Sequence, residues 1–455
     1  MNNSFASTER APPKLRDIVG YAAPAAGTWF FYIPMWSILP AIYSKYFGLG
    51  VSSIAAVILA VRIFDGIADT VTGYLSDRHH AHGGSRRVWV IVGSIGTLVV
   101  CWKLFEPPSH VSELYYFAWS AAFFLVFTVA EIPHMTWGSE LSMDYEQRSK
   151  IYGIRNIATR IGIVSFYALP LLPKYATHEY TPAVLRDAVV FGAALSAVGV
   201  VITLLWAPNT KVLVRDSAPM RIVWRTVTNN RPLLLYLVTF LCLGLSSGMW
   251  FGTVFFYLDG YLHVGSSLPT LFLSGYIIGT LSTPLWLLLI RRTSKVTAWS
   301  LSVALFIVQL GGMWFIQPGD FADSLVLVAL ANLYFAGHDI AALSILGDVI
   351  DYGRMKFGKD MGATYCALNL LVFKVGLGIG GGAALALAGT LGFSPKHAFQ
   401  SDHAIRGLKI AFTLAPGSLA LLGLALIVCM PITRRRHRVV QRRLEGQVAR
   451  RYGKP

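Results

Sequence analysis

Apolar runs of about 20 residues recur along the whole chain, and short polar breaks separate them. A run of this length crosses the hydrocarbon core of a bilayer as an α-helix. The pattern therefore predicts an all-α membrane protein with twelve spanning helices. We expect these helices at about 19–45, 51–76, 88–105, 112–138, 152–172, 188–207, 232–259, 268–290, 297–316, 323–349, 362–391 and 408–432.

The longest polar break divides the twelve helices into two sets of six. We expect an N-terminal bundle at 1–207, a cytoplasmic middle loop at 208–231, a C-terminal bundle at 232–432 and a basic cytoplasmic tail at 433–455. Two packed six-helix bundles with a central site are typical of the major facilitator architecture.

Composition and charge agree with a membrane protein that has both termini in the cytoplasm. Only 14% of the residues are charged, against about 25% in soluble domains. Arginine and lysine concentrate in alternate loops and in the tail, as the positive-inside rule requires. The net charge of +16 is thus explained by topology, and no nucleic-acid partner is expected. We expect a multi-pass protein of the cell membrane that functions as a monomer.

Residues 60–78, AVRIFDGIADTVTGYLSDR, carry charges inside the second apolar run. Arg62, Asp65 and Asp69 are spaced i, i+3 and i+7, so they share one helical face. Each charge at the centre of a bilayer costs roughly 2.5–3.5 kcal/mol on insertion scales. A structural ion pair between Arg62 and Asp65 is one interpretation. The second carboxylate leaves excess negative charge, which favours a cation site.

The fourth apolar run contains a second group of polar residues, in FTVAEIPHMTWGSEL. Thr128 and Glu131 are spaced i, i+3 and share a face. Their hydroxyl and carboxylate oxygens suit a hard cation such as Na⁺, and the carboxylate equally suits a proton. The alternative is that Glu131 lies at a helix end near the lipid headgroups.

Three motifs in order, RIFDGIAD, TVAEIP and LGDVIDYGRMKFGKDMGATYCALNLLVFKVG at 346–376, resemble the glycoside–pentoside–hexuronide:cation symporter family. The resemblance implies a secondary symporter that couples uptake of a sugar or glycoside-like solute to inward flow of H⁺ or Na⁺ by alternating access. It implies no cofactor beyond the coupling ion. The sequence also has no nucleophile set, metal-ligand spacing or phosphate loop, so we expect no enzyme.

The resemblance also implies roles for individual residues. The cation site would comprise Asp65, Asp69, Thr128 and Glu131, with Arg62 and Lys374 near it. Arg155 lies within one residue of the family's substrate arginine. The gate residues would be Asp77, Arg78, Asp348, Asp351 and Tyr352.

Further candidate solute contacts come from residue type. Trp29 and Tyr32 in the first helix could stack on a sugar face or serve only in packing. His338 and Asp339 are ionisable residues inside an apolar run, where substrate contact and internal pairing are equally good interpretations.

The sequence departs from the family pattern at the second helix and in the first. Ala68 stands where the family has Asn, and Thr70 replaces the usual Pro. One oxygen ligand for Na⁺ is therefore missing, which favours a proton, although Thr128 with three carboxylates would also suit Na⁺. The first helix has no acid to bind sugar hydroxyls. Because lysophospholipid carriers in animals are related to this family, a lysolipid or another amphipathic molecule is the alternative substrate.

Overall fold

A computed structural model of the protein describes residues 13–142, 145–209, 226–358, 361–394, 400–431, 436 and 439–444. Within these residues the regular structure is entirely helical. Most of the predicted middle loop, 208–231, and most of the predicted basic tail, 433–455, lie outside the described residues. The prediction of an all-α membrane protein is confirmed.

Twelve helical rods follow one another along the described part of the chain. They are α1 (Leu15–Ser37 and Leu39–Lys45), α2 (Val51–Ala81), α3 (Arg86–Phe105), α4 (Glu113–Glu140), α5 (Tyr145–Ala168), α6 (Pro182–Trp206), α7 (Arg231–Tyr261), α8 (Gly265–Arg292), α9 (Lys295–Met313), α10 (Phe321–Phe357), α11 (Gly362–Thr390) and α12 (Asp402–Val428).

Ten of the rods are each long and apolar enough to cross a membrane, counted over the described residues. The two parts of α1, bent by 50° between Ser37 and Leu39, make an eleventh span if they are taken together. The remaining rod, α5, has a weaker apolar pattern because it contains Arg155 and Arg160. The twelve predicted helices therefore correspond to these twelve rods.

By their contacts the residues form two compact units. The first contains Met1–Met35, Ile63–Leu169 and Thr181–Arg215, and the second contains Trp36–Arg62, Pro170–Tyr180 and Asp216–Pro455. The segments at 36–62 and 170–180, which we expected in the N-terminal bundle, thus group with the C-terminal helices.

A row of glycines on α11 explains why the first half of α2 belongs to the second unit. A Cβ at Gly378 would clash with the Arg62 side chain, and one at Gly382 would lie 2.6 Å from Cγ of Leu59. Small residues let two membrane helices approach closely, so α2 packs along this row.

Two further glycines set the helix positions in the first unit. A Cβ at Gly93 of α3 would lie 2.5 Å from the backbone nitrogen of Ala130 on α4. A Cβ at Gly162 of α5 would clash with the carbonyl oxygen of Ala26 on α1. The backbones of α3 and α4, and those of α1 and α5, are therefore in direct contact, which fixes the interior faces of α4 and α5.

Candidate transport site

Two aspartates of α2 and one threonine of α4 meet in the interior of the first unit. The hydroxyl of Thr128 donates to Oδ1 of Asp69 at 2.8 Å and lies 3.3 Å from Oδ1 of Asp65. Asp65 is 2% exposed and Thr128 is fully buried. One hydroxyl proton is thus shared between two carboxylates, which repel each other when both are ionised. A proton or a cation bound there would relieve that repulsion.

The local sequence explains the convergence. Asp65 and Asp69 are one helical turn apart, so their side chains lie one above the other on the same face of α2. The contact between Gly93 and Ala130 holds α3 against α4 only two residues after Thr128. Three of the four residues expected at the cation site are therefore together.

The fourth, Glu131, forms an ion pair with α5. Nη2 of Arg155 donates to Oε1 of Glu131 at 2.6 Å, and the two side chains are 9% and 17% exposed. We expected Glu131 to bind the cation and Arg155 to bind the solute, and both roles stay predictions. Because Thr128 and Glu131 share a face of α4, the ion pair lies one turn along the helix from the aspartates.

Several buried polar atoms around this ion pair form no hydrogen bond among the described residues. They are Oε2 of Glu131, Nε of Arg155, the hydroxyl of Thr159 and the hydroxyl of Tyr21. Thr159 follows Arg155 by one turn, and Tyr21 interacts electrostatically with both charges of the pair. Leaving one such atom unpaired costs about 1–3 kcal/mol, so this cluster is suited to a polar ligand.

Thr159 and Tyr21 were not among the residues singled out from the sequence. The i, i+4 spacing from Arg155 could have indicated Thr159. Tyr21 lies near the start of α1 among apolar residues, and no sequence signal points to it.

The aromatic residues of α1 form a wall with α4. The ring of Tyr32 stacks on Phe127, with centroids 4.3 Å apart, and Trp29 lies 4.9 Å from Tyr32. Nε1 of Trp29 is buried and forms no hydrogen bond among the described residues. Since Phe127 directly precedes Thr128, this wall lies next to the threonine that donates to the two aspartates.

Arg62 and Lys374 belong to the second unit. The guanidinium of Arg62 lies 3.3 Å from the ring centroid of Trp36, and the aliphatic part of the same side chain lies against Gly378. Lys374 is half-buried on α11, one turn before Gly378. Their role beside the cation site stays a prediction.

His338 and Asp339 have different surroundings on α10. Nε1 of Trp299 donates to Nδ1 of His338 at 2.9 Å, and the histidine ring stacks on Phe240. His338 is thus held by internal packing, the second of the two interpretations given above. Asp339 is exposed. Their contact with a solute stays a prediction.

Three of the five residues expected at the gate, Asp77, Asp348 and Asp351, form ion pairs within their own units. In the first unit, Arg86 donates to Oδ1 of Asp77 and to Oε1 of Glu140, each at 2.8 Å, while Arg78 is exposed.

In the second unit, Nζ of Lys295 lies 2.5 Å from Oδ1 of Asp348. Arg354 lies 3.7 Å from Asp351, and Tyr352 is half-buried. The partners Glu140 and Lys295 were not anticipated, and the gating role stays a prediction.

A family model described as "MFS/sugar transport protein" matches residues 20–434. The glucuronide carrier protein homolog of Escherichia coli (strain K12) is 22% identical, covering 92% of this chain and 93% of that protein. The putative glycoside/cation symporter YagG of the same strain is 23% identical, covering 88% of each chain.

Solved transporter structures share the fold. The nucleoside transporter NupG aligns with a TM-score of 0.68 at 12% identity, covering 92% of this chain and 100% of that one. The peptide transporter POT aligns with a TM-score of 0.65 at 14% identity, covering 91% and 94%. The twelve rods are therefore arranged in the major facilitator fold.

Proposed function

The chain belongs to the MFS/sugar transport protein family, and from this premise we propose that it is a secondary active symporter of a sugar or glycoside-like solute. Inward flow of H⁺ or Na⁺ would drive the uptake, by alternating access. The positive-inside pattern supports cytoplasmic termini. Relatives named as glycoside/cation symporter and glucuronide carrier support this class of solute.

The observation that carries the proposal is the pair of carboxylates that share the hydroxyl of Thr128. Asp65 lies in the interior of a membrane-crossing helix, where an ionisable residue is a functional candidate by default. An ion pair for structure alone would need one carboxylate for one cation. Two carboxylates around one hydroxyl instead form a group that can bind and release a proton or another cation.

We propose a proton as the coupling ion. Na⁺ requires several oxygen ligands, and Ala68 supplies none. Glu131 pairs with Arg155 one helical turn away, so the side-chain oxygens that meet at one point are those of Asp65, Asp69 and Thr128. A proton needs only one carboxylate oxygen. Driving force does not distinguish the ions, because one charge moving across 100 mV yields about 2.3 kcal/mol in either case.

The solute would bind beside the ion site, around the ion pair of Glu131 and Arg155. The carboxylate accepts from sugar hydroxyls, and the guanidinium, Tyr21 and Thr159 supply donors that are unpartnered among the described residues. The wall that contains Trp29 offers an aromatic face to the apolar side of a sugar ring. An amphipathic solute remains the alternative, supported only by this aromatic wall.

Uptake into proteoliposomes at fixed outside pH tests the proposal. The solutes would be methyl glycosides, pentoses and glucuronate, each with an imposed pH gradient or an imposed Na⁺ gradient. We expect a pH gradient to drive accumulation of at least one of them. Asp65→Asn and Asp69→Asn should each abolish accumulation and leave folded protein.

Asp323→Asn provides the control, because Asp323 is an exposed acid in the first turn of α10. This variant should accumulate solute like the wild type. If Asp65→Asn and Asp69→Asn both accumulated solute like the wild type, the assignment of the ion site would be wrong. If only a Na⁺ gradient stimulated uptake, the proposal of proton coupling would be wrong.

A further inference from the structure

An ion pair links the ends of α1 and α7. Nζ of Lys45, the last residue of α1, donates to Oδ2 of Asp259 at 2.8 Å. The two side chains are 35% and 18% exposed. Both residues belong to the second compact unit, although α1 comes from the N-terminal half of the sequence and α7 from the C-terminal half.

A cavity of about 310 Å³ surrounds this ion pair. Glu179, His263, Phe393 and Gln400 also line it. All of these residues lie at or after the ends of odd-numbered helices, so they occupy the face opposite both termini. With cytoplasmic termini, this is the outer face.

The backbone around Asp259 is built to hold its carboxylate. Asp259 lies in a π-helical turn, Phe256–Tyr261, at the end of α7, and such turns are frequent at functional sites. A Cβ at Gly265 would clash with Oδ1 of Asp259, so a larger residue at this position would displace the carboxylate. His263, between them, has a left-handed backbone with φ of 55°, which is uncommon outside glycine.

We propose that Lys45 and Asp259 form the outer gate of the transport path. This inference rests on the proposed alternating access, in which the outer ends of the two sequence halves must separate. The ion pair joins those halves at the outer ends of their first helices, so it breaks whenever the outer side opens. The cavity around it is the vestibule above the closed gate.

Glu179 lowers the cost of opening. It lines the same cavity and belongs, like Lys45, to the N-terminal half of the sequence. When α7 moves away, the ammonium group can exchange the carboxylate of Asp259 for that of Glu179. The lysine then keeps a negatively charged neighbour in both conformations.

Accessibility of a buried cysteine tests the gate without any solute. Ser37 lies on α1 two turns inward from Lys45 and is 6% exposed. The reporter is Ser37→Cys in a protein whose four native cysteines are replaced by alanine. A membrane-impermeant maleimide is added to right-side-out vesicles. Lys45→Ala and Asp259→Ala should each raise the labelling rate about three- to fivefold, as expected for loss of a partly exposed ion pair.

The double exchange Lys45→Asp with Asp259→Lys should return labelling to the rate of the intact pair. Arg186→Ala is the matched control, since it breaks the ion pair of Arg186 and Glu106, 2.9 Å apart on the same face. Unchanged labelling in the Ala variants, or an equal increase in the control, would overturn the gate. If no solute were taken up but the labelling rate still rose in the Lys45 and Asp259 variants, the proposal of a symporter would be wrong and the proposal of the gate would stand.

Discussion

Replacing Thr128 by valine should shift the ion dependence of uptake in a direction that identifies the ion. Valine keeps the shape of threonine and removes the hydroxyl that donates to Asp69 at 2.8 Å and approaches Asp65 at 3.3 Å. A hydrogen bond to a charged group contributes about 1.5–3 kcal/mol. At 1.4 kcal/mol per tenfold, the ion affinity should change by about 10- to 100-fold.

The sign follows from which form the hydroxyl stabilises. The Thr128 hydroxyl stabilises the carboxylates of Asp65 and Asp69 when no ion is bound, so removing it makes proton binding easier. If the ion is a proton, the pH of half-maximal uptake should rise by about 1–2 units. If the ion is Na⁺, the variant loses a ligand, and the half-saturating Na⁺ concentration should rise about 10- to 100-fold. We expect the upward pH shift.

The assay is initial uptake in proteoliposomes across pH 5–9 (roughly two units either side of neutral), with and without Na⁺. Thr128→Ser retains a hydroxyl and should keep most of the wild-type profile. Thr97→Val is the matched control, because the hydroxyl of Thr97 is equally buried and donates only to the carbonyl of Gly93. A profile for Thr128→Val that coincides with the wild type would refute the role of the shared hydroxyl, and a higher Na⁺ requirement would refute the proton.

Three further outcomes are expected. Arg155→Ala leaves the Glu131 carboxylate buried without its cation, so the free energy of unfolding in detergent should fall by about 3–5 kcal/mol. Adding Glu131→Gln should restore most of this stability. If it does not, the lost ion pair is not the cause of the destabilisation. Gly378→Ala should displace the Arg62 side chain and slow uptake with folded protein retained, whereas unchanged uptake would show that the contact is dispensable. Lys374→Ala should alter ion dependence more than expression, and unchanged ion dependence would remove Lys374 from the site.

Helical periodicity was sufficient to predict the common face of Asp65 and Asp69, because spacing within one helix fixes which side chains align. It could not predict that Glu131 pairs with Arg155. The two residues lie on different helices, and their contact depends on how α5 packs against its neighbours at Gly162. Tyr21 was missed for the same reason, since its electrostatic interaction with the ion pair depends on how α1 packs.

The sequence does not show which helices residues 36–62 contact. Gly378 and Gly382 are visible in the sequence as a small-residue row on α11. Such a row predicts a close helix contact but does not identify the partner helix. The division at the longest polar break stays a prediction from hydropathy, and the contacts group part of α2 with the second unit.

In the proposed symport, the one-turn spacing of Thr128 and Glu131 on α4 would couple ion binding to solute binding. Thr128 contacts the aspartates and Glu131 contacts Arg155, one turn apart on the same face. Coupling between sites is reciprocal, so whatever the ion does to solute affinity the solute does to ion affinity. Two neighbouring carboxylates that were both ionised would repel each other and would be costly to keep away from water. In the proposed symport, a bound proton would reduce this cost, so closure and solute transfer would become favourable only with the ion present.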